Sequence, residues 1–469
     1  MSADSRALLE SAVAVASVTR VVEVDSGAIA RLPGVVASLG AARTHTIVAD
    51  GNTMQAAGRD VLATLRAAGV ATTEPIVFDA LTRLKPRVDT ARALGARLRA
   101  AGVVPVAVGS GVINDVVKYA AECAGVAYVC VPTAASMDGY AASGASMLDD
   151  GFKRTLGCAP PVAVVADLDV IAAAPARMAP WGYGDLSGKL VAGADWLLAD
   201  ALGEEAIAPV PFALVQDHVR AWLAQPARIA ARDVGALRGL VNGLLVAGFA
   251  MQAHGNSRPA SGSDHQIAHV WEMEGLETDG ERVAHGACVG VATVAMLAMY
   301  EWFVAQDVVS RATLRAASNV TRVPDLEAEL AASFDDPTLV ASARAETGAK
   351  ANNAGQCVER MQRLARDWPT LRSRLRAQLV PPTMLAGWLT ECGAAAHVND
   401  IGVSAADLAR DYRRARLIRR RYTLLDCLDD LGWLDAAIGA LFAPDGYWGA
   451  RMPAVRVAGS QTPDPGATR

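Results

Sequence analysis

The fold of this chain is decided by one stretch, Val103-Val-Pro-Val-Ala-Val-Gly-Ser-Gly-Val-Ile-Asn-Asp115. Its first six residues are apolar and mostly β-branched, which is typical of a buried strand, and a helical pattern follows from Val112 to Ala124. Gly109 and Gly111 allow the turn between strand and helix to approach a phosphate closely, and the free N–H groups at the helix start attract negative charge. The stretch lacks the third glycine of the common dinucleotide fingerprint, so a tight turn without a ligand fits it equally well.

The alternation of strand and helix continues on both sides of this stretch. Five other short apolar runs, separated by patterns rich in Ala, Leu and Arg, predict strands at 20–24, 46–49, 75–78, 127–131 and 162–166. Such alternation predicts a parallel sheet flanked by helices. A segment rich in Gly, Ser and Met, 137–152, predicts a loop or small hairpin at the rim of the sheet, where ligand contacts are common.

The second part of the chain has a different pattern. From about residue 174 to 441 it consists of successive amphipathic or wholly apolar helical patterns broken by Gly and Pro, which predicts a separate helical domain. The most apolar stretches, 240–251 and 287–300, are shorter than the ~20 residues that cross a bilayer, so we expect buried core helices and no membrane insertion. The last stretch, 451–469, is rich in Pro, Gly, Ser and Thr, which predicts a disordered tail.

Composition excludes some functions. The chain has 469 residues, 52% of them hydrophobic, and a net charge of −5 with Lys and Arg scattered, so we expect no binding to nucleic acid. Two basic clusters, Arg413, Arg414, Arg416 and 419–421, lie in a helical pattern and predict a solvated or ion-paired face. Seven cysteines without C-x-x-C spacing and the lack of a visible signal peptide predict free thiols and a cytoplasmic location.

Polar side chains follow two further predicted strands at their carboxyl ends. Thr133, Ser136 and Asp138 follow one strand, and Asp50 follows another. Ligands bind at the carboxyl ends of strands in open parallel sheets, so these loops together with Gly111 predict a cofactor site. At Asp50 a simple turn fits the residues as well as a ligand contact does.

A group of one acidic residue and three histidines in the helical part predicts a metal site. Asp185 lies near the start of one helical pattern, His265 and His269 share one face of another, and His285 opens a third. A single buried histidine is more often a hydrogen-bonded core residue, but three of the seven histidines fall within about one helical hairpin, which favours a metal. One Asp with two His leaves coordination positions open, as catalytic sites require.

Nine segments, in order along about residues 20–440, carry a family resemblance: Gly109-Ser-Gly-Val-Ile-Asn-Asp115, Thr133-Ala-Ala-Ser-Met-Asp-Gly-Tyr140, Gly151-Phe-Lys-Arg-Thr155, Gly184-Asp-Leu-Ser-Gly-Lys189, Asp195-Trp196, Ser257-Arg-Pro-Ala-Ser-Gly-Ser-Asp-His265, Trp271-Glu-Met273, His285-Gly286 and Arg421-Tyr-Thr-Leu-Leu-Asp426. Together they resemble bacterial glycerol-1-phosphate dehydrogenases of the AraM type. These enzymes belong to the superfamily of dehydroquinate synthase and iron-containing alcohol dehydrogenases.

The resemblance implies a fold and an activity. The fold is dehydroquinate synthase-like, with an α/β N-terminal domain at 1–170 built on a Rossmann-like parallel sheet, and an all-α C-terminal domain at 171–450 that binds metal and substrate. The implied enzyme is a homodimeric oxidoreductase that interconverts dihydroxyacetone phosphate and sn-glycerol 1-phosphate, in phospholipid metabolism. It uses NAD(H) or NADP(H) and one divalent metal ion, nickel or zinc.

The resemblance also assigns residues, motif by motif. The cofactor would be held by Asp50, Gly111, Val112, Ile113, Asn114, Asp115, Thr133, Ala134, Ala135, Ser136 and Ala142. The metal ligands would be Asp185, His265 and His285. The substrate would contact Asp138, Asp185 and His269, of which Asp138 and His269 are the candidate catalytic residues. Asp264 stands where the family usually has Glu, and Ala142 where a Ser that contacts the cofactor is frequent.

Other functions remain open at this point. A sugar-phosphate cyclase similar to dehydroquinate synthase, a lyase, would use NAD and the same kind of metal site but regenerate its cofactor in every cycle. A dehydrogenase of another small polyol would need the same residues, whereas an inactive scaffold conflicts with three retained ligands and two cofactor loops. For the substrate phosphate the candidate cations are Lys153, Lys189 and Arg258, each of which is by default a surface or ion-paired side chain.

Overall fold

The computed structural model describes residues 3–40, 43–79, 84–149, 152–317, 326–350 and 354–451. The predicted disordered tail, 451–469, lies outside the described residues except for its first residue.

The strands form one large sheet and two small ribbons. In chain order they are β1 (Val21–Asp25), β2 (His45–Asp50), β3 (Ile76–Phe78), β4 (Val104–Gly109), β5 (Val129–Pro132), β6 (Ala145–Asp149), β7 (Phe152–Leu156), β8 (Ala163–Asp167), β9 (Glu277–Thr278) and β10 (Glu281–Arg282). The large sheet has the order β1-β8-β5-β4-β2-β3, and all its neighbouring strands pair in parallel. The six predicted strands are therefore confirmed. The segment predicted as a loop or small hairpin, 137–152, contains β6, whose antiparallel partner β7 extends the hairpin beyond it to Leu156.

The other regular elements of the described chain are helices. They are α1 (Ala3–Val15), α2 (Leu32–Ser38), α3 (Gly51–Thr53), α4 (Arg59–Ala67), α5 (Val88–Ala101), α6 (Gly111–Ala124), α7 (Leu168–Ala173), α8 (Met178–Ser187), α9 (Lys189–Leu202), α10 (Pro209–Gln216), α11 (Val219–Leu223), α12 (Pro226–Ala230), α13 (Val234–His254), α14 (Ser263–Met273), α15 (His285–Ala305), α16 (Val308–Ala317), α17 (Leu326–Ser333), α18 (Pro337–Lys350), α19 (Ala354–Gln378), α20 (Pro382–Cys392), α21 (Ala405–Ala415), α22 (Leu424–Asp430) and α23 (Leu434–Phe442). Short 3-10 turns lie at Ala28–Arg31, Asp138–Tyr140 and Val398–Ile401, and a π-helical turn lies at Met54–Gly58.

The inner strands of the sheet are covered on both faces, which explains why they are mostly apolar. Alternate residues of the central strands point to opposite faces. Ile47 and Val106 pack with the helices α2 and α4, whereas Val48 and Ala107 pack with α5, α6 and part of the helical region. Strands buried on both faces carry continuous Val and Ala runs, as parallel sheets generally do.

The region after β8 is helical, as predicted, apart from the small β9–β10 ribbon. Its two longest apolar helices, α13 and α15, have 21 residues each and extend beyond the predicted apolar stretches. By length and composition alone they could cross a membrane, but 78% and 83% of their most apolar windows are buried inside the fold. Burial on all sides is the usual reason for a helix that is apolar all round.

The order of the strands creates a crevice at one edge of the sheet. From β2 the chain adds β3 on one side, and then β4 and β5 on the other side. Ligands of open parallel sheets bind outside the carboxyl ends of the strands at such a reversal. The segments that follow β2, β4 and β5 therefore share the edge at which a ligand is expected.

Candidate functional site

The three predicted metal ligands come together where three helices of the C-terminal region meet. Asp185 lies in the last turn of α8, not near a helix start as predicted, while His265 lies on α14 and His285 is the first residue of α15. Their ligand atoms all lie within 4.8 Å of one another. The Asp185 side chain is fully buried and that of His265 is 5% exposed, whereas His285 is 26% exposed. The group is therefore closed on one side and open on the other.

Close helix packing produces this convergence. A Cβ atom at Gly184 would lie 2.2 Å from the carbonyl oxygen of Gly286, and a Cβ at Gly286 would lie 1.8 Å from that of Trp181. A Cβ at Gly182 would lie 2.0 Å from the carbonyl oxygen of Ala135, in the loop after β5. Glycine at these positions lets α8 contact both α15 and the predicted cofactor loop through backbone atoms.

Each of the two histidines in the group is held by a carboxylate. His265 Nδ1 lies 2.6 Å from Asp264 Oδ2, and His285 Nδ1 lies 2.9 Å from Glu272 Oε1. Since a carboxylate accepts hydrogen bonds, both Nδ1 atoms carry a proton, and Nε2 is the nitrogen of each ring whose lone pair a metal could use. Histidines that bind metals are commonly oriented in this way, so the residues present fit a metal ion.

The electrostatics of His265 also favour a positive charge at this point. Burial disfavours the charged imidazole, but the carboxylates of Asp264 and Asp185 outweigh burial and raise the pKa of His265 to about 9. His265 Nε2 lies 3.6 Å from Asp185 Oδ1. A cation between these two atoms would be stabilised by the same negative charges.

A buried lysine links the metal group to the predicted substrate residue. Lys189 Nζ lies 2.6 Å from Asp185 Oδ1 and 2.7 Å from Asp138 Oδ2, and the backbone N–H of Asp138 donates to Asp185 Oδ2 at 2.8 Å. Burial raises the pKa of Asp185, but Lys189 and the neighbouring histidines outweigh burial and hold it below its usual range. Each carboxylate oxygen has two lone pairs, so Asp185 retains capacity for a metal. Lys189 is engaged here rather than free for a phosphate.

His269 lies beside the group with a defined tautomer. Its Nδ1 is 3.3 Å from Arg419 Nη2, and its ring stacks on that of His285 with centroids 5.8 Å apart. A guanidinium can only donate, so Nδ1 accepts and the proton of a neutral imidazole sits on Nε2. Burial and the charge of Arg419 lower the pKa of His269, which keeps the ring neutral.

A second geometric group of possible ligands consists of His269, Glu272 and His285. Glu272 already accepts from His285 Nδ1, and a protonated Nε2 on His269 cannot ligate a metal. The hydrogen bonds therefore favour the group that contains Asp185.

The start of α6 is arranged as the sequence predicts for a phosphate. Ser110 precedes the helix without a side-chain hydrogen bond to its first N–H groups. Ile113 is buried in the core, and Asn114 is held by Tyr128 Oη at 3.2 Å, so these side chains point inward. Asp115 is also buried. Contact with a cofactor at this point would fall to the backbone of Gly111 and Val112.

The loop after β5 lies next to α6. The backbone N–H of Thr133 donates to the Gly109 carbonyl at 3.1 Å, and Ser136 Oγ lies 3.0 Å from Tyr140 Oη. The Tyr140 hydroxyl donates to the Ala134 carbonyl at 2.7 Å. The predicted residues of the two cofactor loops are thus neighbours, whereas their contact with a cofactor stays a prediction.

Lys118 holds this loop and was not identified from the sequence. Its fully buried ammonium group donates to the carbonyl oxygens of Gly139 at 2.7 Å, Ala142 at 2.7 Å and Gly144 at 3.1 Å. A lysine in an amphipathic helical pattern is normally solvated, so the local sequence carried no signal for this role.

Asp50 lies at the end of β2 and caps the following turn. Its Oδ1 accepts from the backbone N–H of Thr53 at 2.8 Å, and Thr53 Oγ1 accepts from the Asp50 N–H at 3.0 Å. The capping role, left open by the sequence, is thus observed, and a contact with a cofactor ribose stays a prediction.

Of the other phosphate candidates, Arg258 is fully buried and structural. It donates to the carbonyl oxygens of Asp195 at 2.8 Å and Tyr422 at 3.2 Å, and its Nε lies 3.3 Å from Glu205 Oε2. The side chain of Lys153 lies outside the described part of the structure.

The prediction of one helical, ion-paired arginine face is only partly correct. Arg413 and Arg414 lie on α21 and pair with carboxylates, but residues 416–421 lie between α21 and α22. Leaving the helix turns Arg419 inward against His269.

Comparison with known proteins places these features in a family. The family model described as iron-containing alcohol dehydrogenase matches residues 23–175. A relative named glycerol-1-phosphate dehydrogenase (NAD(P)+) from Thermofilum pendens is 33% identical over 293 residues, which cover 62% of this chain and 81% of that protein. A relative of the same name from Halalkalibacterium halodurans is 34% identical over 258 residues, 55% of this chain. That alignment spans 64% of the relative's length.

The fold has a solved counterpart. The crystal structure of glycerol dehydrogenase from Schizosaccharomyces pombe superposes with a TM-score of 0.57 and covers 91% of each chain at 15% identity. This likeness supports the architecture of a parallel-sheet region followed by a helical region.

Proposed function

We propose, since this chain belongs to the glycerol-1-phosphate dehydrogenase family, that it reduces dihydroxyacetone phosphate to sn-glycerol 1-phosphate with NADH or NADPH. The observation that carries this proposal is the group of Asp185, His265 and His285, whose ligand atoms lie within 4.8 Å of one another. The loop that bears Asp138 abuts this group, so a metal-held substrate would lie next to the predicted cofactor loops.

We assign the cofactor to the crevice outside β2, β4 and β5. The uncapped start of α6 supports binding of the cofactor pyrophosphate by backbone N–H groups at Gly111 and Val112. Lys118 would contribute indirectly, because it fixes the loop that runs from Gly139 to Gly144. Asp50 would reach a ribose hydroxyl with the carboxylate oxygen that does not cap Thr53.

We assign one divalent metal ion, nickel or zinc, to Asp185, His265 and His285. When bound, such an ion supplies a Lewis acid that polarises the substrate carbonyl. The protein's own contribution is to hold the Nδ1–H groups of both imidazoles through Asp264 and Glu272, so that Nε2 is the nitrogen each ring would offer to the ion.

His269 and Lys189 would have separate duties in the reaction. A bound reduced nicotinamide would supply the hydride for the carbonyl carbon, and the carbonyl oxygen would need one proton to complete the alcohol. The Nε2–H of His269 supports a role in delivering that proton or in binding the oxygen. Lys189 holds Asp138 and Asp185 in a fixed relation, so that Asp138 can position the substrate.

We further propose that the chain comprises a cofactor domain at 1–170 and a metal- and substrate-binding domain at 171–450. The seven cysteines all are free thiols in the structure, which supports a cytoplasmic location. A homodimer follows from the family resemblance and awaits measurement of the mass in solution.

The test is a substrate screen that follows NADH absorbance. The purified protein is given dihydroxyacetone phosphate, unphosphorylated dihydroxyacetone and larger phospho-sugars in turn. We expect stoichiometric oxidation of NADH with dihydroxyacetone phosphate, and loss of the reaction after removal of metal. Conversion of a larger phospho-sugar without net loss of NADH would instead show a cyclase.

A further inference from the structure

Arg419 lies beside the candidate site and forms no ion pair with a carboxylate of the described residues. Its guanidinium group lies 3.3 Å from His269 Nδ1, and no carboxylate of the described residues lies within ion-pair distance of it. Four neighbouring arginines each have an acidic partner: Arg413 pairs with Asp435, Arg414 with Asp411, Arg416 with Glu329 and Arg420 with Glu346. The contrast singles out Arg419, because the carboxylates that act on it, those of Glu346 and Glu272, do so from beyond ion-pair distance.

Arg421 adds a second cation in the same place. Its guanidinium donates to the carbonyl oxygen of Ser261 and, at 3.0 Å, to Ser257 Oγ, which are neutral acceptors. Burial and the nearby charges of Arg258 and Arg419 lower the pKa of Arg421 to about 9. Glu205 and Asp195 partly offset these charges, but among the described residues neither pairs directly with Arg421, whose hydrogen-bond acceptors are neutral. An anion at this point would therefore gain charge-assisted hydrogen bonds.

The position of Arg419 suits one end of a small substrate. His269 lies between Arg419 and His285, since its Nδ1 faces the guanidinium while its ring stacks on the imidazole of His285. The phosphorus of dihydroxyacetone phosphate is only a few bonds from the carbonyl carbon. A substrate held at the metal group could therefore extend past His269 towards Arg419.

We propose that Arg419, with Arg421 beside it, binds the phosphate group of the substrate. The proposal rests on the proposed function for the identity of the ketone, but its chemistry is that of any phosphomonoester anion. Guanidinium groups suit this anion because they offer paired N–H donors. Lys189 and Arg258 are less suitable, because both side chains are fully buried and pair with carboxylates.

The experiment compares Arg419→Ala with the wild-type metal-loaded protein and with Arg413→Ala as a matched control. Arg413 carries the same charge in the same segment but is 43% exposed and pairs with Asp435. For Arg419→Ala we expect kcat/KM with dihydroxyacetone phosphate to fall about 10- to 100-fold, as for loss of charge-assisted hydrogen bonds. The value for unphosphorylated dihydroxyacetone should fall less, because with this ketone only the hydrogen bond to His269 is lost, so the preference for the phosphorylated ketone should drop about 10-fold. Arg413→Ala should match the wild type with both ketones.

Calorimetric titration with inorganic phosphate gives a readout that does not depend on turnover. We expect the wild type and Arg413→Ala to bind phosphate equally, and Arg419→Ala to bind it at least about 10-fold more weakly. If the wild type shows this Arg419-dependent binding but oxidises no NADH with dihydroxyacetone phosphate, the anion site stands and the proposed function fails. Equal loss of activity with both ketones, or equal phosphate binding by wild type and Arg419→Ala, would overturn the proposal. If Arg419→Ala does not fold, Arg419→Lys decides, with an intermediate loss expected for the phosphorylated ketone alone.

Discussion

The packing of α15 against α8 makes a quantitative prediction for Gly286→Ala. A Cβ at this position would lie 1.8 Å from the carbonyl oxygen of Trp181 and 2.5 Å from its carbonyl carbon. Cβ atoms essentially never come within 3.0 Å of such atoms, so the two segments must separate by about 1.2 Å. Overpacking of this kind typically costs about 1–3 kcal/mol of unfolding free energy.

The displacement should also damage the site, because His285 directly precedes Gly286. Moving His285 by about 1 Å relative to Asp185 is expected to lower turnover by about 10²-fold and to weaken metal binding. The assay is thermal unfolding of the metal-loaded and chelator-treated protein, together with metal content after dialysis.

Gly387→Ala is the matched control for this substitution. Gly387 lies inside α20, and a Cβ there would meet no atom within 4 Å. The substitution should stabilise the protein by about 0.4–1 kcal/mol, because alanine lowers the conformational entropy of the unfolded chain, and it should leave the metal content unchanged. If Gly286→Ala has the same melting temperature and the same metal content as Gly387→Ala, the reasoning from backbone contact is refuted.

Three further substitutions test separate parts of the account. Lys118→Met removes the donor to three buried carbonyl oxygens, so it should lower the free energy of unfolding by about 1–3 kcal/mol. It should also weaken NADH binding in a fluorescence titration while the metal content stays the same. Unchanged NADH affinity would contradict the role of Lys118 in holding the cofactor loop. Asp185→Asn should release the metal during dialysis against chelator while secondary structure persists, and full retention would remove Asp185 from the ligand group. His269→Ala should keep metal and NADH binding near normal while turnover falls about 10²–10⁴-fold, whereas loss of the metal would identify it as a ligand.

Much of the fold was predictable because its signals are local. The four inner strands of the large sheet, β2, β4, β5 and β8, are buried on both faces, so each appears in the sequence as a short and largely apolar run. The predicted ends of α13 and α15 are less accurate, since both helices continue past their apolar stretches. The β9–β10 ribbon has two residues per strand, which is too short for any periodicity to indicate.

The site was predictable in its residue types but not in its supporting contacts. Glu272 follows His265 by seven residues, two helical turns, and this spacing could have suggested that both lie on one face of α14. By contrast, Arg419 and His269 are 150 residues apart, and Lys118 contacts a loop more than 20 residues away. Such pairs are formed by tertiary packing, which a local sequence pattern does not indicate.

The central claim is that reduction of dihydroxyacetone phosphate depends on a metal held by Asp185, His265 and His285. The most direct test is to titrate the metal-free protein with nickel or zinc and to measure bound metal and NADH oxidation in the same samples. The account predicts that the rate with dihydroxyacetone phosphate rises in proportion to bound metal until each chain holds one ion, and that Asp185→Asn stays inactive throughout. A full rate in the metal-free protein, or a metal-dependent rate that persists in Asp185→Asn, would contradict it.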